Sequence, residues 1–386
     1  MIKSLYLRNI LSFGDTSEAL PLGPLNILIG PNGSGKSNLI EAIGLLHATP
    51  RDLSKAVQEG GGIRDWVWKD ALPNGAALIE AVIDYPEGKM PLRYRLAFRE
   101  VGQRLQIVDE RIENESKPAN KPKPFFFFGY EDGLAHLNIK GKERALRREE
   151  INLEQSILSQ RKDPDHYPEI TYVGKAFESF RLYREWSFGR YTPPRLPQPA
   201  DLPNDFLRED ASNLGLVLNR LTKDANVKRS LLEYVRKFYD GIEDIDLIIE
   251  GGTVQVFLQE GSYTIPATRL SDGTLRWLSL LSVLLHPSPP QLVCLEEPEI
   301  GLHPDMLRTL AALLIDASAR MQLVVTTHSD ALIDALNDNP QVVVVCEKKA
   351  GATTLRRLTK EELEAWLSKY TLGELWRSGE IGGNRW

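Results

Sequence analysis

The run Leu25-Asn-Ile-Leu-Ile-Gly-Pro-Asn-Gly-Ser-Gly-Lys-Ser-Asn-Leu-Ile40 constrains this chain more than any other segment. Leu25 to Ile29 is an apolar run that predicts a buried strand. Gly30 to Ser37 fits the pattern G-x-x-x-x-G-K-[ST], and Asn38 to Leu46 continues as a helix. Strand, glycine-rich loop and helix in that order is what a phosphate-binding loop requires. The glycines let successive main-chain N–H groups converge on phosphate oxygens, and the helix N-terminus adds partial positive charge. The candidate phosphate cradle is therefore Gly30, Pro31, Asn32, Gly33, Ser34, Gly35, Lys36, Ser37 and Asn38. Lys36 would reach the β- and γ-phosphates and the Ser37 hydroxyl would ligate magnesium. The bland alternative is a glycine-rich turn before a core helix, which the agreement of motif and context disfavours. A nucleoside triphosphate is the expected ligand.

Three further apolar runs follow at α/β spacing: Gln291 to Glu297, Gln322 to His328 and Gln341 to Glu347, separated by the helical patterns Asp305 to Ala319 and Asp330 to Leu336. Continuous apolar runs alternating with helices predict a parallel sheet covered on both faces, with ligands at the carboxyl ends of the strands. Glu296 and Glu297 stand together at one such end. Adjacent strand residues point to opposite sides, so the pair is expected to divide its labour. Glu296 would bind magnesium and Glu297 would polarise the attacking water. A solvated strand end is the alternative, weakened by the phosphate loop. His328 ends the next run, either as a structural group or as a hydrogen-bond donor to the γ-phosphate or water. Leu270-Ser-Asp-Gly-Thr opens a helix through Leu285, where Ser271 and Gly273 form a second anion-binding terminus, a helix cap, or both.

Between these halves the pattern changes. Residues 2 to 10 alternate like a strand expected to pair beside the loop strand, and Ala76 to Tyr85, Leu92 to Arg99 and Arg104 to Ile112 predict a β-meander. Lys117 to Pro124 is a proline- and lysine-rich connector. Phe125 to Phe128 reads as a strand in preference to an exposed patch. Lys142 to Arg161 and Glu169 to Phe188 are expected to be helical, as are two segments within Ala211 to Tyr239. No heptad repeat persists there. Strand signals resume at Ile242 to Glu250, Thr253 to Gln259 and Tyr263 to Pro266, and Leu358 to Ser378 suggests two short helices.

A net charge of −6 argues against a surface that coats nucleic acid indiscriminately and leaves room for a local basic groove. Lys140, Lys142, Arg144, Arg147 and Arg148, with Lys117, Lys121 and Lys123 nearby, form such a cluster. Its ordinary reading is a solvated helix face, and DNA contact is the sharper one. The aromatic stretch Tyr183 to Tyr191 is a candidate surface for a protein partner. Cys294 and Cys346 lie in apolar runs and read as buried free thiols of a reducing compartment. No apolar stretch is long enough to cross a bilayer, and the N-terminus lacks the apolar core of a signal peptide, so a cytoplasmic protein without membrane contact is expected.

Taken in order, these pieces resemble the compact AAA/ABC-type ATPase heads of the SMC, RecF and OLD-like proteins. Gly30 to Ser37 matches Walker A. Leu270-Ser-Asp-Gly-Thr is similar to the signature motif, with departures from the transporter form Leu-Ser-Gly-Gly-Gln. Leu292 to Glu297 matches Walker B with Glu296 in the usual aspartate position, Pro298 to Pro304 occupies the D-loop region, and Thr327-His328-Ser329 matches the switch histidine. The resemblance covers about residues 1–115 and 240–350. It implies an α/β P-loop NTPase head, a mixed or parallel sheet with flanking helices plus an antiparallel meander. Its N-terminal lobe would span 1–115, a mostly helical insertion 116–240 and a C-terminal lobe 241–386. ATP and Mg2+ are the implied cofactors, with Lys36, Glu297 and His328 catalytic and Ser37 and Glu296 on the metal. Arg8 and Asn9 are implied near the nucleotide, and no Q-loop glutamine can be placed. Two heads would sandwich two ATP molecules, each Ser271 and Gly273 completing the partner's site. The stretch after His328 is too short for the Toprim nuclease of full OLD proteins, so cleavage would fall to a separate effector or nuclease.

The resulting expectation is an ATPase motor or switch in DNA maintenance, DNA repair or phage defence. A nucleotide-gated binding module with negligible turnover is the alternative, disfavoured by the presence of Lys36, Glu297 and His328 together. A transporter ATPase subunit fits the long Walker A to signature interval and the early meander less well.

Overall fold

The computed structural model describes residues 1–72, 75–117, 122–131, 134–139, 142–146 and 150–383. The chain forms two compact units. One comprises Met1–Phe180, Gln341–Glu362 and Gly379–Trp386, and the other Arg181–Pro340 and Leu363–Ser378.

In the first unit Leu25–Ile29 is buried at every position and pairs in parallel with Val343–Lys349, Ile27 opposite Val343 and Ile29 opposite Val345. Val343–Lys349 turns back at Ala350 and Gly351, both at positive φ, into Ala352–Arg357. Two successive positive φ values suit a tight hairpin whose twist matches its strands. The helix Lys36–Ala48 follows the loop and buries Leu39, Ile40, Ala42, Ile43, Leu45 and Leu46.

The meander is larger than expected. Its antiparallel order is Leu20–Pro21, Ile2–Arg8, Ala77–Ile83, Leu92–Val101, Arg104–Asn114, Phe126–Glu131, Leu134–Ile139 and Lys142–Leu146. The opening strand thus pairs with Leu20–Pro21 and Ala77–Ile83 instead of the loop strand. Its alternating burial suits a sheet with one open face, whereas Leu25–Ile29 is buried on both faces. The helix expected over 142–161 is also corrected. Lys142–Leu146 is an edge strand on Leu134–Ile139, and among the described residues of that span the α-helix is Ile157–Gln160, capped by Ser156. Charged residues are at home on an edge strand, which explains how a charged segment joins the sheet. Of Glu169 to Phe188, the helix is Pro168–Glu178 and Arg181–Tyr183 is a strand. Lys121, Lys140, Arg147 and Arg148 of the basic cluster lie outside the described residues.

The second unit contains a parallel sheet, Arg181–Tyr183 beside Leu292–Glu296 beside Gln322–Thr326. Asp244–Glu250, Thr253–Glu260 and Tyr263–Pro266 are strands, as expected, and pair as an antiparallel group. The helix Asp272–Leu284 places Trp277 in the core, its Nε1 donating to Tyr234 O at 3.0 Å. Both C-terminal helices form, Lys360–Leu367 and Leu372–Ser378. The second is held on Asp330–Asp334 by Gly373 N donating to Asp334 Oδ1 at 2.7 Å and by an Arg377–Asp330 ion pair. Among the described residues no helix is long and apolar enough to cross a membrane, and both cysteines are buried and free.

One buried charge in the first unit has a consequence for stability. Glu110, on Arg104–Asn114, accepts from Tyr94 Oη at 2.8 Å, Ser156 Oγ at 2.5 Å and Ile157 N at 2.9 Å. Burial outweighs these three donors and pushes its carboxyl up to about 7. A pKa raised on folding means the unfolded chain loses this proton first, so folding is favoured at low pH. The contribution is whole below the ordinary carboxylate pKa and fades as pH rises through about 7. Between pH 4.5 and 7.5 it amounts to roughly 3 kcal/mol. Denaturant titrations should show Glu110→Gln flattening this part of the stability–pH curve; an unchanged slope would exclude Glu110 as its source.

Candidate active site

In the first unit the phosphate loop is shaped by close contacts. Gly35 lies at φ +104, and a Cβ there would sit 2.2 Å from Thr353 Oγ1. A Cβ on Gly30 would sit 2.2 Å from Cys346 O. Both positions demand glycine for space and, at φ +150 and +104, for their backbone. Thr353 Oγ1 donates to Ser34 O at 2.8 Å and lies 2.7 Å from Ser12 Oγ, which accepts from Asn38 Nδ2 at 2.7 Å. A strand residue 319 positions away in sequence thereby braces the loop. Lys36 Nζ donates to Gly30 O at 2.8 Å and Pro31 O at 3.1 Å, so the ammonium lies across the loop's mouth. Asn32, Gly33 and Ser37 are exposed, and the buried Ser34 hydroxyl has no hydrogen-bond partner among the described residues. Arg8 lies 3.9 Å and Asn9 3.3 Å from Asp15, stabilising their own turn. A cavity of about 300 Å3 lined by Thr353 with Leu5, Leu7, Phe13, Leu39 and Val345 contains none of the expected site residues.

In the second unit the acidic residues after Leu295 diverge. Glu296 accepts from Arg184 Nε at 3.2 Å through Oε2, while its Oε1 is buried without a hydrogen-bond partner. Glu297 lies just past the strand at φ +44, its N–H held by Thr326 O at 3.1 Å. That turn, more than strand alternation, sends its carboxylate to within 3.5 Å of His328 Nε2. Glu299 was not singled out from the sequence. Its Oε1 accepts from Thr327 Oγ1 at 2.5 Å and His328 N at 3.1 Å, fixing the histidine's backbone. Burial raises the Glu299 pKa above the usual carboxylate range against these two donors, and the Glu297 charge adds to the rise. Its signal was present in the sequence as a third acid within four residues of Glu296.

Ser271 is the cap of its helix, accepting from Thr274 N at 3.0 Å. A Cβ on Gly273 would meet Gly301 O at 2.6 Å, so this glycine has a packing reason within its own unit. The aromatic stretch read as a partner surface is exposed over most of its length, with two of its rings turned inward. Tyr183 and Phe188 are buried, Arg276 lies over the Trp186 and Phe188 rings, and Tyr191 is exposed.

Residues 25–334 match the family described as “AAA domain, putative AbiEii toxin, Type IV TA system”. The chain belongs to this AAA family. Solved structures of similar fold include the Smc head bound to the C-winged helix domain of ScpA, at 17% identity and TM-score 0.54, covering 94% of this chain and 99% of that one. Another is the Smc head domain with an extended coiled coil bound to the C-terminal domain of ScpA, derived from Pyrococcus furiosus. There the identity is 14% and the TM-score 0.53, covering 95% of this chain and 98% of that one. None of the functionally curated proteins matches the sequence. This AAA protein has the P-loop head fold of the SMC-like ATPases, with mixed α/β and antiparallel sheets as expected.

Among the described residues no group of three or more His, Cys, Asp or Glu is arranged to hold a metal by itself. Magnesium is ordinarily held by one or two protein oxygens together with nucleotide phosphates. The unpartnered Glu296 Oε1 is a donor of the right chemistry. Thr353→Val removes the hydroxyl that fixes Ser34 O and keeps the side chain's bulk. Titration with a fluorescent ATP analogue should show about tenfold weaker binding, the size of one lost buried hydrogen bond.

Proposed function

We propose that this protein binds and hydrolyses ATP, and that ATP joins two copies of the head. The carrying observation is the split of two adjacent carboxylates. Glu296 has a buried, unpartnered oxygen suited to a cation, and Glu297 faces His328. In this reading the loop N–H groups and Lys36 bind the phosphates, and Ser37 and Glu296 hold Mg2+. The bound ion supplies charge neutralisation at the triphosphate. Glu297 orients the attacking water and draws its proton away, His328 donates a hydrogen bond to the γ-phosphate or the water, and Glu299 positions the histidine.

Pairing of two heads follows from the chemistry of the second helix terminus. Walker A alone leaves one side of the triphosphate open to water. Ser271 and Gly273 of a second copy would cover it and release it on hydrolysis. The family description names a toxin and a Type IV TA system, which fits a switch in phage defence or DNA maintenance acting through a separate effector or nuclease. DNA contact through the basic cluster that includes Lys117 and Lys123 belongs to the same reading. Two buried free thiols fit a cytoplasmic setting.

Glu297→Gln should lower turnover by about 100-fold or more while ATP binding persists. Phosphate release and equilibrium binding check this together; undiminished turnover would remove Glu297 from the chemistry. Ser271→Arg should abolish ATP-dependent dimers in sedimentation without abolishing nucleotide binding by the monomer. It should also cost about 1 kcal/mol of stability through the lost cap. Dimers that survive the substitution would refute the sandwich.

A further inference from the structure

The strand Arg181–Tyr183 ends with Tyr183 opposite Leu295 in parallel register. The next residue on each strand is charged, so the sheet itself sets Arg184 beside Glu296. The guanidinium engages one carboxylate oxygen only, Nε to Oε2 at 3.2 Å, and leaves Oε1 buried without a partner. The backbone around Arg184 is anchored on both sides. Tyr183 Oη donates to Leu207 O at 2.9 Å, Trp186 O accepts from Arg276 at 3.2 Å, and Phe188 O accepts from Arg195 Nε at 2.7 Å. Arg184 is half-exposed whereas Glu296 is mostly covered, so the cation can leave for solvent more easily than the carboxylate can.

We propose that Arg184 is a built-in competitor of the divalent cation at Glu296, and so sets the magnesium concentration at which nucleotide binds. This rests on the reading of Glu296 as a magnesium ligand. Oε1 has no partner of its own, so an ion that reaches this carboxylate meets Arg184 as its one hydrogen-bonded rival, at Oε2. A doubly charged, compact ion and a guanidinium on one carboxylate repel each other at short range, and the singly charged, more diffuse partner is the weaker competitor. Arg184 thus keeps Glu296 aimed, and yields to Mg2+ delivered with ATP. The arginine is a positioning residue: it acts through Glu296.

The test measures binding of a fluorescent ATP analogue to the full chain as Mg2+ is varied, with a parallel titration in EDTA. Wild type is compared with Arg184→Gln, Arg184→Lys and Glu296→Gln. Arg184→Gln should lower the half-saturating Mg2+ concentration about three- to tenfold, the range for removing a partly exposed ion pair. Arg184→Lys, which keeps a cation, should stay near wild type, and Glu296→Gln should raise the requirement. Affinity in EDTA should be the same in wild type and Arg184→Gln, which also shows that the variant is folded. If Arg184→Gln leaves the Mg2+ requirement unchanged or raises it while Glu296→Gln raises it, competition is overturned and the role of Glu296 stands. If Glu296→Gln changes nothing, Glu296 is not the ligand, and both readings fall.

Discussion

A β-carbon at Gly35 would lie 2.2 Å from the Thr353 hydroxyl, and one at Gly30 would lie 2.2 Å from the Cys346 carbonyl. These two approaches fix where the phosphate loop leaves its strand and where its helix begins. The loop is therefore not simply a flexible glycine-rich turn. Its first glycine is clamped against the strand Val343–Lys349, and its last against Ala352–Arg357 across the hairpin. Main-chain N–H groups bind an anion well only if they already converge, because ordering them at the moment of binding consumes affinity. The hairpin supplies that order in advance. Thr353 contributes twice, filling the space that Gly35 leaves and bonding the Ser34 carbonyl.

The acidic cluster of the second unit obeys a different constraint. Three carboxylates within four residues would repel one another if all were charged and equally solvated. The structure separates them by partner. Glu296 meets a guanidinium, Glu297 a histidine, and Glu299 a hydroxyl and a backbone N–H. Glu299 is deeply covered, and that burial raises its pKa against its two donors. Its contact with His328 N fixes the histidine's backbone. Division of labour among like groups thus comes from surroundings that differ over a few ångströms.

Much of this was legible because each motif joins a continuous apolar strand to a short chemical signal. Leu25–Ile29 with its glycines, and Leu292–Glu296 with its acids, combine a physical period and a reactive terminus in one run. What escaped were features decided by a distant neighbour. Lys142–Leu146 has the charge density of a solvated helix, and only Leu134–Ile139 beside it makes it a strand. Ile2–Arg8 announces that it is a strand but not which strand it will join. Arg181–Tyr183 is too short to carry a period and is visible only as the edge of a parallel sheet. Thr353, Arg184 and Arg195 act through contacts that no local window contains. Glu299 is the exception, since its position was plain and its partners were not.

The signature helix shows how a departure from a family pattern can be offset. Where the transporter form has glycine after the serine, this chain has Asp272, a negative charge at a helix terminus proposed to face phosphate. Left alone, that carboxylate would oppose an anion at the same terminus. Arg195 pairs with it, and the guanidinium is itself buried and held by the carbonyls of Phe188, Ala267 and Leu270. The three carbonyls fix the cation in place, and the cation neutralises Asp272. Ser271 remains able to serve in two ways, because capping Thr274 N uses an oxygen lone pair and leaves its proton to donate. The competitor for that proton is Thr274 Oγ1 at 2.8 Å, a contact that an anion of greater charge would displace. A helix start that looks occupied by its own cap therefore keeps the donor that a phosphate needs.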